Sequence, residues 1–177
     1  MRVLSIEKIR AYILTISLLI VGLGVVAWFY VSGDNNPAIK GLHSGNLQAI
    51  NFETLVPDRD GYLMCAPDFC AEGAGNIHSK RYMVSRAELS QALFSYTDNN
   101  AAINTFRRDL GAWKFDFTER VITEKFPHVI TIQLVNLSPT ESSLNIYSRS
   151  ELGSSKAEIH KDRVERWLRY VEASLSR

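Results

Sequence analysis

The sequence predicts an α+β protein: an N-terminal transmembrane helix, then a small domain in which helices cover one face of an antiparallel meander sheet. Three observations predict this class. Residues 11–31 form a nearly uncharged apolar run, and a helix needs about 20 such residues to cross the hydrocarbon core of a bilayer. Segments between residues 113 and 147 alternate apolar and polar residues, as half-buried strands do. From Ile159 onward the apolar residues recur at helical spacing.

The apolar run also predicts where the rest of the chain lies. Arg2, Lys8 and Arg10 precede it, and the positive-inside rule keeps such a flank in the cytoplasm. We therefore expect a single-pass inner-membrane protein, with the lipid bilayer as a partner and the C-terminal domain in the periplasm or outside the cell. The predicted boundaries are 1–10 for the cytoplasmic N-terminus, 11–31 for the transmembrane helix, 32–48 for a linker and 49–177 for the exported domain.

A cleaved signal peptide is the alternative interpretation of the same run. The apolar core of a signal peptide is usually shorter, about 7–15 residues. Trp28, Phe29 and Tyr30 lie at the distal end of the run, and aromatic residues are typical of a membrane–water interface. Both features favour an uncleaved anchor.

The two cysteines, Cys65 and Cys70, are close together in the sequence. In an oxidising compartment such a pair is typical of a disulfide that closes a turn. Free thiols are one alternative, and a zinc site with His78 as a third ligand is another. A structural zinc site usually takes four ligands, and the sequence has no second cysteine pair, so no metal site is predicted.

The first helix of the domain is predicted to begin after Ser85. Ser85-Arg-Ala-Glu88 has the capping-box pattern, in which the serine side chain and the glutamate each bind a free backbone amide. Apolar residues follow at helical spacing as far as Tyr96, and the polar residues 97–100 end the helix. Ile103, Phe106 and Leu110 predict a further helical turn or two before Gly111.

Three strands are predicted next, because the period changes to two. The alternating apolar positions are Trp113, Phe115 and Phe117, then Ile130, Ile132 and Leu134, then Leu144 and Ile146. Short polar turns separate these segments, so we expect an antiparallel meander.

The last helix is predicted from a second capping box, Ser155-Lys-Ala-Glu158. Its apolar stripe should cover one face of the sheet; it consists of Ile159, Val164, Trp167, Leu168, Val171 and Leu175.

The C-terminal segment resembles the domain-of-unknown-function family 1499. The residues that carry this resemblance are Ser148-Arg-Ser-Glu-Leu-Gly153 and Arg163-Val-Glu-Arg-Trp-Leu168. The family contains small, often membrane-anchored or exported bacterial proteins with plant chloroplast relatives, and the resemblance spans about residues 50–172. Lys156, Glu158 and His160 depart from the family pattern, and the resemblance implies no known activity.

The candidate binding residues fall into two groups. Ser148, Arg149, Ser150 and Arg163 could hold a carboxylate or a phosphate, since two guanidiniums bind such groups bidentately; the alternative is that the arginines stabilise the fold. Arg120 and Tyr147 lie on the other predicted sheet face, which could bind an envelope protein or an amphiphile. The formal net charge of +1 argues against a nucleic-acid partner.

These patterns favour a binding or scaffolding module of the cell envelope. The four histidines are scattered and match no His-x-x-x-His, Gly-x-Ser-x-Gly or phosphate-loop motif, so no catalytic residue and no cofactor are predicted. The alternative is an exported, hydrolase-like enzyme with a site near the turn of Ser148, Arg149 and Ser150.

Overall fold

The chain divides into two compact units, residues 1–46 and 47–177. A computed structural model describes residues 6–32, 47–70, 77–122, 124, 126–153 and 155–176. The first unit contains helix α1 (Ile6–Ser32). The second contains β1 (Tyr62–Cys65), β2 (Ile77–His78), α2 (Arg86–Asp98), β3 (Ile103–Asp109), β4 (Lys114–Glu119), β5 (His128–Ser138), β6 (Glu141–Arg149) and α3 (Ala157–Leu175).

The predicted transmembrane helix is wrong. Within the described residues, no helix combines the length and the apolar character needed to cross a membrane. The prediction rested on the length of the apolar run, whereas α1 begins at Ile6 and so includes the charged Lys8 and Arg10. Thr15 and Ser17 add hydroxyl groups farther along the helix. The single-pass inner-membrane location is left without support, and the predicted linker lies mostly outside the described residues.

The α+β class of the second unit is confirmed. The six strands form one sheet in the order β2-β1-β6-β5-β4-β3. Strands β3 to β6 pair antiparallel with their chain neighbours, and β1 joins β6 antiparallel while β2 lies parallel to β1. The meander predicted from the two-residue period is therefore present as β4, β5 and β6.

Residues 103–109 are a strand, which corrects the predicted helical turns. Ile103 and Phe106 are spaced as on a helix, but the chain pairs with β4 from Ile103 opposite Glu119 to Asp109 opposite Lys114. An irregularity between Thr105 and Arg107 interrupts the register. Because a bulge shifts the side-chain alternation by one residue, it removes the two-residue period by which this strand could have been recognised.

Helices α2 and α3 cover one face of the sheet, which we call the helix face. Its core contains Phe115, Phe117, Ile130, Ile132, Leu144 and Ile146 from the strands, Leu89, Leu93 and Tyr96 from α2, and Val164, Trp167 and Val171 from α3. Phe117 and Tyr96 both pack edge-on against the Trp167 ring. Of the predicted stripe of α3, Val164, Trp167 and Val171 are thus buried on the sheet, Leu168 and Leu175 are partly buried beside them, and Ile159 is exposed.

The two predicted capping boxes have different outcomes. At α2 the Ser85 hydroxyl accepts from the Glu88 amide, and the Glu88 carboxylate accepts from the Ser85 amide, so this prediction is confirmed. At α3 the helix begins one residue later than predicted, with Lys156 as the N-cap, and no described side chain caps it. The amides at the start of α3 therefore have no side-chain acceptor among the described residues.

Residues 47–58, here called the N-terminal strap, cover part of the opposite face of the sheet. Ile50 and Phe52 pack with Leu63, Cys65 and Tyr147 in a second, smaller core. Three cations also hold the strap through its carbonyl groups: Arg107 donates to Leu47, Arg149 to Gln48 and Lys114 to Ile50. The docking face predicted around Arg120 and Tyr147 is therefore covered at Tyr147, which is buried.

Candidate functional site

Strand β6 sends its predicted site residues to opposite faces of the sheet. Because side chains alternate along a strand, Ser148 and Ser150 lie on the helix face, while Tyr147 and Arg149 lie on the strap face. Arg163 is on α3 and contacts Ser148. Arg149 and Arg163 are therefore separated by the sheet, and they cannot hold one anion together.

Arg149 belongs to a buried polar chain beneath the strap. It donates from Nε to Glu151 at 2.7 Å and from Nη1 to Thr131 at 3.0 Å. Thr131 donates to Asp116 at 2.7 Å, and Asp116 accepts from Arg107 at 2.8 Å. The Tyr147 hydroxyl accepts from the Asp58 amide at 3.0 Å. These contacts hold the strap to the sheet, so they support the structural interpretation of Arg149.

Arg163 belongs to a cluster around a buried carboxylate on the helix face. The Glu119 cluster consists of Glu119 at the end of β4 and three donors from α3. Arg163 Nε donates to Glu119 at 3.0 Å, Arg166 Nη2 at 2.5 Å and Trp167 Nε1 at 3.1 Å. Glu119 and Arg163 are both almost inaccessible to solvent. Charge-assisted hydrogen bonds of this kind fix the helix on the sheet.

Two serines and two histidines form a second polar group beside Arg163. This serine–histidine relay consists of Ser148, Ser150, His128 at the start of β5 and His160 in the first turn of α3. Ser148 Oγ lies 2.8 Å from His160 Nδ1. Ser150 Oγ lies 3.2 Å from His128 Nδ1 and 3.3 Å from His160 Nε2. The Ser150 hydroxyl is thus placed between the two imidazole rings.

Both imidazoles of the relay are held in the neutral form. Burial lowers the pKa of His128 to about 3, with further lowering by Arg163 and His160. Burial also lowers the pKa of His160 to about 4, again with a contribution from Arg163. A neutral imidazole has one donor and one acceptor nitrogen, so each ring can donate one hydrogen bond and accept another.

Arg163 determines which nitrogen of His160 carries the ring proton. A guanidinium only donates, and Arg163 Nη1 lies 3.3 Å from His160 Nδ1. His160 Nδ1 must therefore accept, and the ring proton is on Nε2, from which it is donated to Ser150 Oγ. A Ser150 proton directed at His128 Nδ1, with the His128 ring proton on Nε2, is one arrangement that fits these contacts.

His128 Nε2 is directed at a carboxylate. It lies against an oxygen of Glu124, and it makes no hydrogen bond of good geometry with any described group. Glu124 is partly exposed, whereas His128 is buried. The hydrogen-bonded relay therefore runs from Arg163 through His160 and Ser150 to His128, whose Nε2 lies against the partly exposed Glu124 carboxylate.

A pocket of about 530 Å³ opens at this end of the relay. Its apolar wall is formed by Phe126, Leu152 and Ile159, and its polar groups belong to Glu124, His128, Ser155 and Lys156. Gly153 completes the lining in a left-handed conformation, φ +75°. Gly153 belongs to the connection from β6 to α3, which borders the pocket.

The other predicted residues lie away from this pocket. Arg120 follows β4, and its amide donates to the Ala102 carbonyl. Cys65 and Cys70 form a disulfide at the start of the turn after β1. Within the described residues, no group of three or more His, Cys, Asp or Glu side chains is placed to hold a metal ion.

Sequence reasoning found the two serines of the site and Arg163, but not the two histidines. His128 stands on the strand that pairs with β6, and its neighbour Val129 is opposite Arg149. His160 and Arg163 are three residues apart on α3, so they share one face of the helix. That spacing was the available signal, because it places an imidazole and a guanidinium side by side on the buried stripe.

No protein-family model matches this chain, and no curated protein and no solved structure matches it either. The resemblance to the domain-of-unknown-function family 1499 therefore stays a prediction.

Proposed function

We propose that residues 47–176 form a binding domain for a small amphiphile with a carbonyl or carboxyl end group, and that the ligand occupies the pocket between β6 and α3. The observation that carries this proposal is the pocket's composition. It is lined by the apolar side chains of Phe126, Leu152 and Ile159 and by His128 and Glu124 at one end of the polar relay.

The size and the lining of the pocket both support a ligand of this kind. Small-molecule sites usually occupy about 300–1,000 Å³ and combine apolar walls with a few placed polar groups. Phe126, Leu152 and Ile159 can cover an alkyl chain, while Lys156 offers a donor to an oxygen-rich end. Lys156 and Glu124 have opposite charges, so the pocket does not require a highly charged ligand.

The disulfide supports a location in an oxidising compartment, such as a periplasm or the cell exterior. Disulfides persist where the redox environment is oxidising and are rare in a reducing cytosol. Cys65 is buried and bonded to Cys70. We expect the native, unreduced protein to show no titratable thiol and to show two after denaturation with reductant. Thiols that react in the denatured, unreduced protein would contradict the bridge.

Fluorescence titration with dansyl-labelled undecanoic acid tests the binding proposal. We expect saturable binding to the full chain, and about a tenfold weaker affinity for Leu152→Ser, because burial of a leucine side chain contributes about 1.5–3 kcal/mol. Leu110→Ser is the matched control, since Leu110 is exposed outside this pocket and its change should leave the affinity unaltered. Absence of saturable binding, or equal affinities for Leu152→Ser and the unaltered chain, would overturn the proposal.

A further inference from the structure

We propose that a second pocket of the domain, between the C-terminal ends of α2 and α3, binds a neutral saccharide. This helix-end pocket has a volume of about 310 Å³, at the lower end of the range for small-molecule sites. It is lined by Ser95, Tyr96, Asn99, Asn100, Tyr170 and Ser174. It shares no lining residue with the pocket between β6 and α3, so this inference goes beyond the proposed function and does not depend on it.

The polar lining comes from two pairs of residues, each spaced by one helical turn. Ser95 and Asn99 lie at the end of α2, and Tyr170 and Ser174 lie near the end of α3. Residues four apart share one face of a helix, so each helix contributes a pair of polar side chains to the pocket. Asn99 Nδ2 donates to the Ser95 carbonyl at 2.8 Å, which holds this amide against the last turn of α2.

Tyr170 supplies an aromatic surface at the edge of the pocket. Its ring stacks on that of Tyr96, with the centroids 4.6 Å apart and the planes inclined by 11°. Tyr96 is buried, whereas Tyr170 is 53% exposed, so a fixed neighbour orients an accessible ring. Such a ring combines an apolar body with a polar hydroxyl. The C–H groups on one face of a sugar ring can pack against a surface of this kind.

The hydroxyl groups of the pocket are available to a ligand. Those of Ser95, Tyr170 and Ser174 make no hydrogen bond with any other group that the structure describes. A hydroxyl can both donate and accept, and the amide oxygen of Asn99 is a further acceptor. The hydroxyls of a saccharide also donate and accept, so they can pair with every one of these groups.

The charge of the lining favours a neutral saccharide over an acidic one. No Asp, Glu, Lys or Arg is among the described residues that line this pocket. The C-terminal end of a helix has a partial negative charge, and the pocket lies at that end of α2. An anion would therefore meet an unfavourable potential without a cation to offset it. The lining also contains no aliphatic side chain that could cover an alkyl group.

Saturation-transfer difference NMR with the full chain tests this site, with maltotriose, cellotriose and N-acetylated chitotriose as neutral probes. We expect saturable binding of at least one probe, and about a tenfold weaker affinity for Tyr170→Ala, because the aromatic surface is removed. Tyr12→Ala is the matched control, since Tyr12 is an exposed tyrosine of α1 outside this pocket, and it should keep the affinity unaltered. Trigalacturonate, an acidic probe, should bind more weakly than the neutral probe.

A second variant keeps the test independent of the Tyr96–Tyr170 stack. Ser95 is exposed, so Ser95→Arg should fold and fill the pocket, and we expect it to abolish binding. Ala87→Arg adds the same charge at an exposed position near the start of α2 and should bind as the unaltered chain does. Similar urea denaturation midpoints for these two variants would show that both are folded.

Three results would overturn the inference. The first is the absence of saturable binding for all three neutral probes. The second is an affinity of Tyr170→Ala or Ser95→Arg equal to that of the unaltered chain, because the saccharide would then bind elsewhere. The third is tighter binding of trigalacturonate than of every neutral probe, which would contradict the role given to the charge of the lining.

Discussion

Glu119→Gln is expected to lower the free energy of unfolding by about 3–5 kcal/mol, because it leaves a buried arginine without its counter-charge. Glu119 accepts from Arg163, Arg166 and Trp167. The glutamine keeps the size of the side chain, so the loss measures charge pairing rather than a cavity. Arg163 cannot turn to solvent, since it is enclosed between α3 and the sheet.

Urea denaturation measures this loss, with Asp98→Asn as the control. Asp98 pairs with Arg108 at 3.0 Å, but both side chains are about half exposed, and such a surface pair contributes less than about 1 kcal/mol. Equal shifts of the denaturation midpoint for the two variants would contradict the structural role given to Glu119.

The domain is expected to lose about 3 kcal/mol of stability as the pH falls from 6.5 to 5. The pKa values of His128 and His160 are about 3 and about 4 in the folded chain, against an ordinary value of 6.5. The unfolded state therefore binds more protons throughout this window, and stability falls as the pH falls. Above about pH 7.5 both states have neutral imidazoles, and the contribution of these two groups becomes constant.

Urea denaturation at a series of pH values tests this dependence. His160→Gln should flatten the slope between pH 6.5 and 5, because one of the two depressed imidazoles is removed. His78→Gln is the control, since His78 is exposed on β2, and it should keep the slope of the unaltered chain. A stability that is constant across this window would show that the two rings are already accessible to protons.

Local patterns predicted the parts of the fold that local physics determines. The two-residue period predicted β4, β5 and β6, and the reciprocal contacts of Ser85 and Glu88 were predicted from their spacing. Strand β3 was missed because an irregularity interrupts its period. The transmembrane prediction failed because it relied on the length of one apolar run.

The candidate site was only half predictable for a different reason. Ser148 and Ser150 were identified from their neighbouring arginines, yet strand alternation alone separates Arg149 from Arg163. The partners of the serines, His128 and His160, come from β5 and α3. Such contacts depend on strand register and on the docking of α3, and no short segment of the sequence determines either of them.

The direction of the serine–histidine relay is the central claim, and nitrogen-15 NMR of the imidazole rings tests it most directly. Spectra of the folded chain at pH 7, with signals assigned through His128→Gln and His160→Gln, report which ring nitrogen carries the proton. We predict that both rings are neutral with the proton on Nε2. A proton on Nδ1 of either ring, or a cationic ring, would contradict the relay and the orientation of the Ser150 hydroxyl.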